Sequence, residues 1–302
     1  MSVVLRLHEA GRVRLPGFLR GNIHYETIMG SMAYGVSSDS SDMDVYGFAI
    51  PPKDEIFPHL RGEIRGFGTH KPPFEQFQEH HVRDPSALAG QGRVYDLTIY
   101  NIVKYFQLCM ECNPNMIDSL FTPTTCVLHA TVVANMVRER RHLFLHKGAW
   151  VKFKGYAYAQ LHKLTNKRHA GKRAELKEQH GFDVKYAYHI VRLISEVEQI
   201  LTEGDLDLQR NREQLKAIRR GDWTEEQLRQ WFTDKERDLE RLYAASTLPA
   251  VPDEAAIRRL LLECLEHHYG SLAECVIEPD GAVAALREVQ AVLERHARFL
   301  RG

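Results

Sequence analysis

The stretch from Gly30 to Pro52, GSMAYGVSSDSSDMDVYGFAIPP, constrains the fold more than any other part of the chain. Val45 to Ile50 is a short apolar run closed by Pro51-Pro52, which reads as a buried strand. Asp42 and Asp44 stand at its entrance, two residues apart. Strand side chains alternate with a period of two, so both carboxylates point to one face while Met43 and Val45 point to the core. Burying carboxylates is costly unless cations sit among them. Hard oxygen donors of this kind suit magnesium or manganese, two ions in all, and a nucleoside triphosphate arrives with such ions.

The flanking residues extend this reading. Gly30-Ser31 lies about ten residues before Asp42. A glycine lets the backbone approach a triphosphate, and a helix N-terminus after it favours anions. Gly30, Ser31 and Tyr34 are therefore the NTP-binding candidates in this turn. Asp96, inside the apolar run Val94 to Ile99, is the candidate third carboxylate on a neighbouring strand. Two metals held by such a set clamp the attacking and leaving oxygens of phosphoryl transfer. An isolated Asp-x-Asp is common in turns, and Asp39 reads as a plain loop residue. The specificity lies in the combination.

The chain changes texture near residue 127. Before it, Gly, Pro and short apolar runs alternate. Val3 to Leu7 and RVYDLTI (93–99) read as strands, and Asn101 caps a helix running to about Cys112, broken by Asn113-Pro114. The segment from Gly62 to Gly92 reads mostly as loop. Beyond residue 127 the pattern is helical. Tyr186, Ile190, Leu193, Val197 and Ile200 form a buried stripe, with Gly204 as terminator. Thr224, Asp253 and Asp280 each cap a further helix. The expectation is an α+β fold: a catalytic domain over 1–127, then an all-helical domain over 128–302.

Lys plus Arg equals Asp plus Glu, 40 against 40, so any surface for a polyanion must be local. The first residues lack a secretory pattern, no apolar run reaches membrane-spanning length, and five cysteines are an odd number; together these point to the cytoplasm. Cys109-x-x-Cys112 has no second pair at zinc-site spacing, and packing explains it better. His80-His81 has no ligand-spaced partner.

The segment GSMAYGVSSDSSDMDVYGFAIPP resembles the DNA polymerase β-like nucleotidyltransferase superfamily, and more narrowly its RNA-repair-pathway polymerase-β family. The likeness continues through YDLTIYNIVKYFQLCMECNPNMIDSLF, DVKYAYHIVRLISEVEQILTEGDL, LKAIRRGDW and STLPAVPD. The resemblance implies a mixed sheet with flanking helices followed by a helical domain, NTP use and a link to RNA end repair. By position it gives Asp42 and Asp44 the metal-ligand places and Asp96 the third carboxylate place. Lys185, His189 and Arg192, at spacings of four and three along one helix, match the family segment and become candidates for holding phosphates. A second basic region holds Lys152, Lys154, Lys163, Lys167, Arg168, Lys172 and Arg173, with Tyr156 and Tyr158 interleaved; Arg219-Arg220 is a third. The expected activity is NMP transfer from an NTP to an acceptor hydroxyl, most readily an RNA 3′ end. Transfer to a protein or small-molecule hydroxyl, and NTP or RNA binding without turnover, are the alternatives.

Overall fold

The computed structural model describes residues 2–37, 42–166 and 181–275, with three isolated positions beyond them. Asp39, the basic residues Lys167, Arg168, Lys172 and Arg173, and nearly all of the helix expected from Asp280 lie outside the described residues. In chain order the first elements are helices α1 (Val3–Glu9) and α2 (Leu19–Asn22), strands β1 (Ile23–Ile28) and β2 (Met43–Ala49), and helix α3 (Lys53–Ile56). Strands β3 (Gln76–Asp84) and β4 (Arg93–Asn101), helices α4 (Ile102–Met110) and α5 (Pro114–Phe121), and strand β5 (Val127–Ala130) follow. The rest is helical: α6 (Val132–Glu139), α7 (Ala149–Asn166), α8 (Val184–Glu203), α9 (Arg212–Arg220), α10 (Glu225–Ala245) and α11 (Glu254–Tyr269).

The chain forms two compact units, one from residues 1–50 and 75–264 and a smaller one from 51–74 and 265–302. In the smaller unit, Tyr269 donates its hydroxyl to the Pro51 carbonyl at 2.5 Å, and its ring meets Phe57 edge-on. The larger unit is built on a mixed sheet of order β3-β4-β2-β1-β5. β2 and β4 run parallel, and the other pairs are antiparallel. Every residue of β1 is buried, because the strand is covered on both faces. On one face Tyr25 packs against Phe48 and donates its hydroxyl to the Ser119 carbonyl of α5. On the other, Glu26 accepts from the Ser2 hydroxyl and the Val3 N–H at the start of α1.

That last contact explains the clearest departure from the sequence reading. Val3 to Leu7 is helix, not strand. Ser2 caps it by accepting from the Leu5 N–H, and Val4 and Leu7 are buried three residues apart. The second departure is β3, which crosses a segment expected to be loop. The third is β5, a strand lying just where the pattern was expected to turn helical, and Asn113-Pro114, expected only to break a helix, also opens α5. Asn101 caps α4 and Gly204 ends α8 at φ 65°, both as expected, and Asp183 caps α8. Thr224 and Gln227 form a reciprocal capping box on α10.

Gly47 lies where β1 and β2 are pressed together, and a Cβ there would collide with the Tyr25 carbonyl oxygen. Gly155, in the middle of α7, has open space around it. Gly47→Ala is expected to lose about 3 kcal/mol of stability, and Gly155→Ala to gain ~0.5–1 kcal/mol. Urea unfolding of both variants checks the pair.

Candidate active site

Parallel pairing sets β2 and β4 in register so that Asp44 lies directly beside Asp96. Register partners on neighbouring strands share a face, with the strands roughly 4.8 Å apart. Asp42 lies one residue outside β2 and is exposed, while Asp44 is half-buried. Burial is the main force raising the Asp44 pKa above the ordinary carboxylate range. The charges of Asp96 and Asp42 push it further, and Lys185 and His80 oppose them. Three carboxylates therefore act on one another across the ends of two strands.

Gly30 presses directly on this cluster. It sits at φ 69°, and a Cβ built on it would collide with Asp44 Oδ2. The Met29 N–H donates to the Asp44 carbonyl at 2.7 Å, which fixes the spacing. Beyond Gly30 the chain makes hydrogen-bonded turns, Tyr34 N–H to Gly30 and Val36 N–H to Ser31, instead of the expected helix start. Left-handed Gly35 ends those turns too soon for a helix to propagate.

Asp96 has a companion that pattern reading missed. On β3, Glu79 pairs with Leu97 and Val82 with Tyr95, so His80 and His81 together oppose Asp96. This is a β-bulge, a device that re-aims side chains. The His81 N–H donates to Asp96 Oδ1 at 2.7 Å, and Nδ1 of His80 and of His81 lie 3.6 and 3.7 Å from the same oxygen. The bulge also hid the strand. Phe77 and Val82 both face inward although they are an odd number of residues apart, which breaks the alternation.

The helical region reaches this sheet end in two ways. Lys185, exposed in the first turn of α8, contributes its charge to Asp44. His189, one turn on, is half-buried with its ring against Tyr188. Arg192, one further turn on, points inward and is only 6% exposed. It donates to the Tyr34 hydroxyl at 2.8 Å, to Asp118 of α5 and to Glu196 at 3.1 Å, and its guanidinium stacks over the Tyr34 ring. Tyr34 in turn donates to Asp118 at 2.7 Å. Arg192 and Tyr34 thus bond to each other and to buried acids, tying the turn after Gly30 to α5 and α8. Gln209 and Arg219 complete the clamp by donating to the carbonyls of Ala33 and Val36.

The described part of the second basic region is largely neutralised: Lys152 pairs with Glu111, and Lys154 with Glu236 and Glu240. Tyr158 donates to Glu236, and Tyr156 accepts from Asn113. Arg220 pairs with Asp222. All five cysteines are buried and unpaired. Among the described residues no three His, Cys, Asp or Glu side chains already converge as an ion cage, and no helix is long and apolar enough to cross a membrane.

With this geometry in view, the model of the RlaP family, the RNA repair pathway DNA polymerase beta family, matches residues 6–263. The chain belongs to that family. A search of curated proteins finds no match. The family's name ties the chain to nucleotidyl transfer of the polymerase β type in RNA repair. The mixed sheet with its helical continuation fits that class.

Arg192 faces two buried carboxylates. Burial raises Glu196 well above its ordinary range; Arg192 opposes this and Asp118 adds to it. A carboxyl whose folded pKa is raised gives stability that is full below its unfolded value, ~4.3, and lost as pH rises through the folded value. Glu196→Gln is expected to melt like wild type in mild acid and progressively above it as pH rises. Arg192→Leu, which strands the acids, is expected to cost about 3–5 kcal/mol. Thermal melts across pH measure both.

Proposed function

We propose that this chain is a metal-dependent nucleotidyltransferase that moves NMP from an NTP to an acceptor hydroxyl, preferentially an RNA 3′ end, and releases pyrophosphate. The observation that carries the reading is the in-register pair Asp44 and Asp96 beside the close-packed Gly30 turn. In this reading residues 1–127 carry the chemistry, and the helices beyond contribute Lys185, His189 and Arg192.

Asp42, Asp44 and Asp96 would hold two Mg²⁺ or Mn²⁺ ions. The donor set fits: all three are hard carboxylates, and Asp44 and Asp96 lie side by side in register with Asp42 close enough to act on Asp44. Asp42, exposed just outside β2, would supply the third carboxylate. When bound, the ions supply charge neutralisation at the attacking and leaving oxygens.

The chain's own residues do the rest. Gly30 admits the triphosphate to the backbone, and the Ser31 hydroxyl donates to it. Lys185 and His189 approach its phosphates from α8. Tyr34 and Arg192 keep the turn in place from beneath. Asp96, its carboxylate steered by the His81 N–H, accepts the acceptor proton. The acceptor oxygen bonds to the α-phosphorus, the bond to the bridging oxygen breaks, and pyrophosphate departs with the electron pair. Positioning and charge stabilisation account for the catalysis. The unpaired buried cysteines support a cytoplasmic setting.

The test is pyrophosphate release and label transfer from each α-labelled NTP, with Mg²⁺ or Mn²⁺ and total RNA. Asp42→Asn, Asp44→Asn and Asp96→Asn are each expected to lower transfer by at least about 10²-fold with the fold kept by circular dichroism. Wild-type label on protein would redirect the acceptor. NTP binding without pyrophosphate release would leave a binding module.

A further inference from the structure

Three arginines near the acid cluster have no acid of their own. Arg12, in the loop after α1, Arg83, near the end of β3, and Arg93, opening β4, line one cavity of about 730 Å³ whose wall also carries Asp42. None of the three has an ion-pair partner among the described residues, and Arg93 Nε is buried without a hydrogen bond. Asp84 on the same wall is already taken: Ser86 and Arg6 hold it, and its pKa is drawn down to about 2. The cavity therefore presents three guanidiniums against one free carboxylate. Guanidinium is the side chain best matched to phosphate, through paired N–H donors.

The sheet order gives this cavity its place. In β3-β4-β2-β1 the two acid-bearing strands lie in the middle. The Gly30 turn leaves β1 on one flank, and the arginine cavity closes over β3 and β4 on the other, at the same end of the sheet. Arg83 pairs with Val94, two residues before Asp96, which puts it on the acid face. In-line displacement at phosphorus needs attacking and leaving groups on opposite sides. A triphosphate against Gly30 leaves the arginine flank for the acceptor.

We propose that this cavity seats successive backbone phosphates of a single-stranded RNA end, presenting its 3′ hydroxyl toward Asp42. The proposal rests on the nucleotidyltransferase reading and names its acceptor site. Three guanidiniums exceed what one phosphorylated side chain needs, whereas successive phosphodiesters supply one charge each.

The test uses the full chain and a 5′-fluorescein ten-nucleotide RNA with a free 3′ hydroxyl, read by anisotropy across a salt series without NTP. Arg12→Ser and Arg83→Ser remove exposed side chains. Each is expected to weaken RNA binding by about 3–10-fold and to flatten the log–log salt slope by ~0.7. Binding of a fluorescent ATP analogue is expected to hold, and Arg83→Lys to keep the slope. Unchanged RNA affinity would overturn the proposal. So would equal losses for ATP, which would make the cavity the triphosphate's, or equal affinity for a phosphoserine peptide of matched charge. Failure of the underlying reading looks different. If wild type binds RNA through these arginines yet transfers nothing, the cavity stands and the transferase reading falls. If the double serine variant transfers to RNA at the wild-type rate, the cavity falls and the reading stands.

Discussion

The rest of the site depends on a repulsion that the backbone does not allow to relax. Parallel pairing holds Asp44 beside Asp96, and the Met29 N–H to Asp44 carbonyl bond with the Gly30 contact closes the other side. Either acid could relieve the repulsion by turning into solvent if its surroundings were open. Asp44 is half-buried, and the His81 N–H anchors Asp96. Two like charges kept this close are a standing cost to stability. The neighbouring Lys185 moderates the cost without cancelling it.

The same end of the molecule contains the opposite arrangement. Arg192 is a cation with more acid around it than one charge can balance, and it is nearly inaccessible to solvent. A buried ion network of this kind is weak as a source of stability but strong as a source of geometry, because its groups have no alternative partners. Its geometry is specific: Tyr34 comes from the turn after Gly30, Asp118 from α5, Arg192 and Glu196 from α8. The turn facing the acid pair is thereby locked to the helices behind it. Sequence spacing put Lys185, His189 and Arg192 in one row, yet inward rotation along α8 separates them into exposed, half-buried and buried positions.

What was legible in the sequence followed from strong local chemistry. The acid pair, β2 and β4, the caps at Asn101 and Thr224 and the stop at Gly204 each carry their cause within a few residues. Asp96 stood out because a carboxylate placed in an apolar run is costly unless a cation answers it. The misses have a different cause. Val3 to Leu7 became helix because Ser2 and the distant Glu26 organise its first turn, and a five-residue largely apolar pattern does not distinguish the two states. β3 escaped because its bulge shifts the alternation at the point where the histidines meet Asp96. Asp118 and Glu196 have no local signal; tertiary packing brings Arg192 to both.

A chain with 40 basic and 40 acidic residues shows no global preference for a polyanion. The preference emerges when paired charges are separated from unpaired ones. On the helices, cations are spent locally: Arg229 on Glu225, Lys235 on Glu198, Lys154 on Glu236 and Glu240, Arg210 on Glu203. Such exposed pairs contribute little to stability, but they neutralise those faces. Arg12, Arg83, Arg93 and Lys185 keep their charge free of any carboxylate within ion-pair distance among the described residues, and all four lie at the sheet end that carries the acids. Field strength at a cleft depends on this local surplus and on its low-dielectric walls, not on the total. A zero net charge is therefore compatible with a local surplus of cations beside the acid cluster.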